Sequence, residues 1–262
     1  MNQEILQSLR AIEQEYNVKV LYACESGSRA WGFSSKDSDY DVRFFYVHQP
    51  EVYLSIDPVG VGKKRDVIER PIHDFLDVNG WDLTKALKLF RKSNPPLLEW
   101  LYSDFVYEET YGAAEQMRAL SVDIFSPAAC IHHYVQMAAS NYRDIGGKNE
   151  VKLKTYFNAL RPLLAAKWIA QRQEIPPLSF HTLLAHTVKD DDLFDAIQGL
   201  LERKMAGGKV RTISALPVIN QFLQTELEPL RRQAVLLAYH PDDPTERLNE
   251  IFRHTLKEAW VS

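Results

Sequence analysis

Glu25-Ser-Gly-Ser-Arg-Ala-Trp-Gly-Phe-Ser-Ser-Lys-Asp-Ser-Asp-Tyr-Asp41 is the stretch on which the reading of this chain turns. It lies between two runs whose β-branched and aromatic content predicts strands, Val18 to Cys24 and Asp41 to Val47. Gly27 and Gly32 punctuate the turn region between them. Asp39 and Asp41 stand two apart at the start of a strand, so their carboxylates project from one face. Carboxylates that close repel one another unless a proton or a cation sits between them. A hard divalent ion with oxygen ligands, Mg²⁺ above all, is the natural occupant. Upstream, Gly27-Ser28 follows a strand directly. A glycine there lets backbone N–H groups approach a phosphate, and the Ser28 hydroxyl adds a donor. Phosphate donors on one side and metal carboxylates on the other describe a nucleoside triphosphate site.

Working outward, Ile5, Leu6, Leu9, Ile12 and Tyr16 recur at helical spacing and predict an opening helix. Asp66 to Glu69 and Ile72 to Val78 read as further strands, with Pro71 as a break or edge position. Leu83, Ala86, Leu87 and Phe90 mark a helix that stops before Asn94-Pro95-Pro96. Beyond residue 110 nearly everything reads as helix: roughly 128–141, 151–171, 193–205, 216–230 and 245–260. Gly146-Gly147, Pro176-Pro177, Gly207-Gly208 and Pro241 to Pro244 separate these segments. The expected architecture is an α/β (α+β) domain over 1–110 followed by an all-helical domain over 111–262.

Composition sets the outer limits. The chain has 262 residues, of which 45% are hydrophobic and 25% charged, an ordinary globular balance that excludes a disordered, collagen-like or disulfide-stapled chain. Apolar runs fall far short of the ~20 residues of a membrane span. The Met-Asn-Gln-Glu opening lacks a basic-then-apolar export pattern, and two lone cysteines, Cys24 and Cys130, fit a reducing compartment. A cytoplasmic protein without a membrane partner is expected. The formal net charge of −4 excludes a broadly basic nucleic-acid coat but leaves room for a locally basic cleft. Lys63-Lys64-Arg65, Arg91-Lys92, Arg203-Lys204 and Arg231-Arg232 read as solvated faces.

The residues carry a resemblance. Gly27-Ser28, Gly32 and Ser38-Asp39-Tyr40-Asp41 resemble the Gly-Ser…Asp-x-Asp signature of the DNA polymerase β-like nucleotidyltransferase superfamily. Five longer stretches are similar to one bacterial and phage branch, the predicted nucleotidyltransferases named for their association with RNA ligases. These are Gly-Ser-Arg-Ala-Trp-Gly-Phe (27–33), Asp-Ser-Asp-Tyr-Asp-Val-Arg (37–43), Asp-Val-Asn-Gly-Trp-Asp-Leu (77–83), Lys-Ser-Asn-Pro-Pro-Leu-Leu-Glu-Trp-Leu (92–101) and Leu-Arg-Pro-Leu-Leu (160–164). The similarity thus spans most of the chain. It implies a nucleotidyltransferase domain with a mixed sheet and a helical domain that closes the nucleotide cleft. It also implies transfer of a nucleoside monophosphate from an NTP, ATP favoured, to an acceptor hydroxyl with release of pyrophosphate. An RNA end is the favoured acceptor, ahead of a protein hydroxyl or a small molecule.

Carried over residue by residue, the resemblance makes Asp39 and Asp41 ligands of Mg²⁺ (or Mn²⁺) and asks for a third carboxylate on a neighbouring strand. Asp77 matches, with Asp74 and Glu69 as nearby competitors. Gly27, Ser28 and Arg29 are expected at the phosphates. Related enzymes also use a lysine of the helical domain to hold the triphosphate, which points to Lys154. Arg161 falls within roughly 20° of Lys154 around the helix and joins it as a candidate. A non-catalytic nucleotide- or RNA-binding module on the same fold is the alternative, and acidic residues at all three metal positions argue against such decay.

Other patterns carry less. Gly60-Val-Gly62-Lys63-Lys64 lacks the spacing and the Ser/Thr of a Walker A loop and reads as a basic hairpin loop. His132-His133 point about 100° apart on a helix, and His181 and His186 lack the spacing of a helical zinc pair.

Overall fold

A computed structural model describes residues 1–57, 66–70, 75–207, 212–237 and 243–260. Pro71, Asp74, Pro241 and the Gly60–Lys64 loop lie outside the described residues.

In chain order the elements are α1 (Asn2–Tyr16), β1 (Val18–Ser26), α2 (Gly27–Ala30), β2 (Tyr40–His48), α3 (Pro50–Tyr53), β3 (Val67–Glu69), β4 (Leu76–Asp82), α4 (Leu83–Arg91), α5 (Pro95–Leu101), β5 (Val106–Glu109) and α6 (Ala113–Ile124). There follow α7 (Pro127–Arg143), β6 (Glu150–Lys152), α8 (Leu153–Arg172), α9 (Phe180–Thr187), α10 (Asp191–Met205), β7 (Thr212–Ser214), α11 (Pro217–Leu236) and α12 (Thr245–Trp260). The chain divides into two compact units. The first is Met1–Ala30, Asp39–Ile124 and Pro241–Ser262; the second is Trp31–Ser38 and Phe125–His240.

The first unit is built on a five-stranded sheet in the order β3-β4-β2-β1-β5. β2 and β4 run parallel and the other pairs antiparallel, so the sheet is mixed, as expected. Side-chain alternation sorts β2 between two layers. Val42, Phe44 and Tyr46 meet Ile5, Leu9 and Ile12 of α1 in one buried cluster. Phe45 points to the other face, where its ring lies 5.7 Å from Tyr22 and 5.8 Å from Trp100 of α5. Trp81 stacks on Trp100 at 3.8 Å, which extends this second layer along β4.

Two local readings are corrected here. β4 spans Leu76–Asp82, so Asp77 lies near the start of a strand that runs on through Gly80, and of the expected Ile72–Val78 strand only residues 75–78 fall among the described residues. Gly80 belongs inside the strand because the Phe44 ring of β2 covers it: a Cβ there would lie 2.2 Å from the ring. Asn94-Pro95-Pro96, read as punctuation, begins α5. The Asn94 side chain accepts from the Leu97 N–H at 3.2 Å, and the prolines occupy the first turn, where no N–H is missed.

The division also differs from a break near 110. α6 buries Ala113, Ala114, Met117, Ser121 and Ile124 and belongs to the first unit. So does α12, through an Arg247–Asp123 ion pair at 2.7 Å and an edge-on Phe252–Tyr53 contact at 5.0 Å.

The second unit centres on α8, which is buried along most of its length, with α7 and α11 packed on it. Tyr156 of α8 donates to the Asn220 Oδ1 of α11 at 2.9 Å and accepts from the Leu216 N–H at 2.9 Å. Among its described residues, this unit's regular structure is helical apart from the short antiparallel pair β6–β7. No helix among the described residues is long and apolar enough to cross a membrane.

Candidate active site

β1 ends at Ser26, and Gly27 takes a φ of 61° to turn the chain into the single turn α2 that carries Ser28 and Arg29. Only glycine adopts that conformation without strain. Arg29 Nε donates to the Asp39 carbonyl at 3.1 Å, and its guanidinium lies 3.7 Å over the Tyr40 ring. One side chain thus ties the two ends of the motif.

Between those ends, Trp31–Ser38 belongs to the second unit. Phe33 is buried, stacked on Phe157 at 4.7 Å and edge-on to Phe180 at 5.3 Å. The Phe180 N–H donates to the Trp31 carbonyl at 3.0 Å. The loop is closed by Ser38 and Ser35: Ser38 N–H donates to the Ser35 carbonyl at 3.1 Å, and Ser38 Oγ accepts from Ser35 N–H at 2.9 Å. Chain and motif therefore pass from the first unit into the second and back.

Asp41 enters β2 opposite Ser26 of β1 and opposite Asp77 of β4. Both aspartates are partly buried, and both carboxylates meet one cation. Arg43 Nη2 donates to Asp41 Oδ1 at 3.1 Å and to Asp77 Oδ2 at 2.8 Å. Arg43 Nη1 donates to the backbone carbonyls of Asp77 at 3.1 Å and Val42 at 3.0 Å. Asp39, by contrast, is exposed. Of the competitors for the third position, Glu69 is exposed on β3 and accepts from Asn79 Nδ2 at 3.0 Å.

Beneath Asp41 lies Glu25, only 2% exposed. Its Oε1 accepts from the Asp41 N–H at 2.8 Å and its Oε2 from the Tyr107 hydroxyl of β5. Burial pushes the Glu25 carboxyl up, while those two donors hold it down. The same burial pushes the Tyr107 hydroxyl up, aided by the Glu25 charge. Glu25 and Arg43 fall within the quoted stretches but receive no role from the sequence, and Tyr107 lies outside them. Arg43 had a signal in the sequence, since it lies two residues after Asp41 on the same strand face; Glu25 and Tyr107 meet only through the β1–β5 pairing.

The donor set fits a hard cation in part. Asp41 and Asp77 offer carboxylate oxygens that already converge on one positive group. No group of three His, Cys, Asp or Glu that could hold a metal ion is found among the described residues. Asp41 and Asp77 are therefore the assembled part of the expected set.

On α8, Lys154 is exposed, whereas Arg161 is 2% exposed with its guanidinium 4.5 Å over the Trp31 ring. Arg161 is thus buried along with Leu153, Phe157, Leu160 and Leu164 of the same helix.

Two comparisons bear on this arrangement. A family model for the RNA repair pathway DNA polymerase beta family matches residues 1–254. An uncharacterized protein of Bacillus subtilis (strain 168), YcgL, is 48% identical over 260 residues, covering 99% of this chain and 98% of its own. With a mixed sheet that brings the Gly-Ser corner and the Asp-x-Asp strand together, and with a match over nearly its whole length, this chain belongs to the RNA repair pathway DNA polymerase beta family.

Proposed function

We propose that the protein is a divalent-cation-dependent nucleotidyltransferase that moves a nucleoside monophosphate from an NTP, ATP first, to an acceptor hydroxyl, with an RNA end as the favoured acceptor. The observation that carries this reading is the convergence of Asp41 and Asp77 on one cationic point, with Asp41 packed against the Gly27 corner. Family membership supports the reaction class.

In this reading Asp39, Asp41 and Asp77 hold Mg²⁺ or Mn²⁺. When bound, the ion supplies Lewis-acid chemistry, lowering the pKa of the attacking hydroxyl and neutralising charge on the leaving phosphates. The acceptor oxygen forms a bond to the α-phosphorus, the bond from that phosphorus to the bridging oxygen of the β-phosphate breaks, and pyrophosphate leaves. The hydroxyl proton passes to solvent. The Gly27 backbone and the Ser28 hydroxyl bind phosphate oxygens. Arg29, oriented by Tyr40 and the Asp39 carbonyl, adds positive charge on the same corner. Lys154 is the lysine we assign to the triphosphate, and Arg161, whose guanidinium lies over the Trp31 ring, is assigned to orient Trp31.

The test is metal-dependent release of pyrophosphate from each NTP in turn, with RNA, protein and metabolite fractions as acceptors. Asp39→Ala and Asp41→Ala should abolish release while the fold survives. Wild-type turnover in either purified variant would remove the carboxylate assignment. Binding of NTP without any release, across all acceptors, would favour a non-catalytic binding module.

A further inference from the structure

We propose that Arg43 is the resident counter-cation of the Asp41–Asp77 pair, a positioning residue that holds the two carboxylates together and that a divalent cation must displace from them. The inference rests on the metal-dependent reading above and deepens it.

Asp41 and Asp77 are register partners in a parallel ladder, so their side chains leave the sheet side by side on one face. Both are partly buried, and two carboxylates so placed repel each other. Arg43, two residues along β2, projects on that same face and answers both charges through one nitrogen, Nη2. Its other terminal nitrogen is pinned by the carbonyls of Val42 and Asp77, and the side chain is only 17% exposed. This is a fixed cation, unlike a solvated surface arginine.

Nη2 stands at the point between Asp41 Oδ1 and Asp77 Oδ2 where a shared ion would bind. A magnesium ion binds oxygen at about 2.0–2.1 Å, closer than Nη2 approaches either carboxylate, so the two cannot occupy that point together. Like charge also sets them against each other. Arg43 thereby keeps the carboxylates converged before the ion arrives and subtracts from the ion's affinity once it does.

The experiment is Mn²⁺ binding to the full chain without nucleotide, read from the electron paramagnetic resonance of free Mn²⁺. Wild type, Arg43→Gln, Arg43→Lys and the Asp41→Asn/Asp77→Asn pair are compared. Arg43→Gln should bind Mn²⁺ about tenfold more tightly than wild type, since a unit charge a few ångströms from a divalent ion has been removed. Arg43→Lys, which keeps the charge, should remain within about threefold of wild type. Affinity in Arg43→Gln equal to or weaker than wild type overturns the role of Arg43 alone. Equal Mn²⁺ binding by wild type and the Asp41→Asn/Asp77→Asn pair, or no binding by wild type, overturns the metal reading beneath it. Should Arg43→Gln fail to fold, the wild-type protein decides the matter by NMR. The Arg43 guanidinium resonance, assigned by its loss in Arg43→Lys, should shift and saturate with Mg²⁺, and an unmoved resonance rejects displacement.

Discussion

Gly27 and Asp41 are packed backbone against carboxylate: a Cβ on Gly27 would lie 2.1 Å from Asp41 Oδ2 and 2.9 Å from its Cγ. Any side chain at this corner would have to push the aspartate off the position it shares with Asp77. The glycine also sits at a φ of 61°, where a Cβ is strained.

Gly27→Ala should therefore lose nucleotidyl transfer as well as stability. Gly32→Ala is the control, because Gly32 has a φ of 81° but a Cβ added there would meet nothing within 4 Å. Strain alone costs about 1–2 kcal/mol, so Gly32→Ala reports that cost by itself. Chemical denaturation and pyrophosphate release on both variants check this. If Gly27→Ala proves as active as Gly32→Ala, the contact with Asp41 has no functional weight.

Asp77→Asn should reduce transfer by orders of magnitude, whereas Glu69→Gln should leave it near wild type. Asp77 is the register partner of Asp41, while Glu69 is turned to Asn79 at the outer side of β4. Steady-state rates at saturating NTP and Mg²⁺ separate the two. The reverse ranking would move the third carboxylate to β3.

Much of this was legible in the sequence where local chemistry sets the outcome. The apolar periodicity around Leu83 to Phe90 predicts a helix, and α4 covers it; the segment 245–260 is α12 as read. The corner at Gly27 and the strand from Asp41 follow from glycine, serine and alternating residues. What escaped depends on distant partners. Gly80 falls past the expected strand end at Val78, and what keeps it inside β4 is the covering Phe44 ring of the next strand. Arg43 could be placed on the face of Asp41 by alternation, but its second partner, Asp77, requires the parallel β2–β4 register. Glu25 sits at the end of a strand whose apolar run gives no reason to keep a carboxylate, and only β5 brings Tyr107 to it. α12 is separated in sequence from α6 by the Phe125–His240 part of the second unit, so no window of sequence reports their pairing.

Tyr107→Phe should destabilise the protein by about 1.5–3 kcal/mol, the usual worth of a hydrogen bond to a charged group. It leaves the buried Glu25 carboxylate with one donor fewer, and the Asp41 N–H remains as a partner. Glu25→Gln removes the charge that makes the loss costly, so Tyr107→Phe should cost less in that background. A double-mutant cycle by urea unfolding measures the coupling. Strict additivity of the two changes would mean that the contact contributes nothing specific.

Lys154 and Arg161 lie two turns apart on α8, yet they should fail in opposite ways. Arg161 is buried, its guanidinium 4.5 Å over Trp31, and the Trp31 carbonyl in turn accepts from the Phe180 N–H at 3.0 Å. A desolvated cation–π contact is worth about 2 kcal/mol or more, so Arg161→Ala should lower stability by at least that much. Lys154 is exposed, and Lys154→Ala should change stability by no more than about 0.5 kcal/mol. If Lys154 binds the triphosphate, its loss should instead raise KM for the NTP by roughly tenfold to a hundredfold, the equivalent of one charged hydrogen bond. Thermal melts and initial-rate kinetics on the two variants make the comparison. An unchanged KM in Lys154→Ala removes that lysine from nucleotide binding. An Arg161→Ala protein as stable as wild type would return Arg161 to the candidate phosphate ligands.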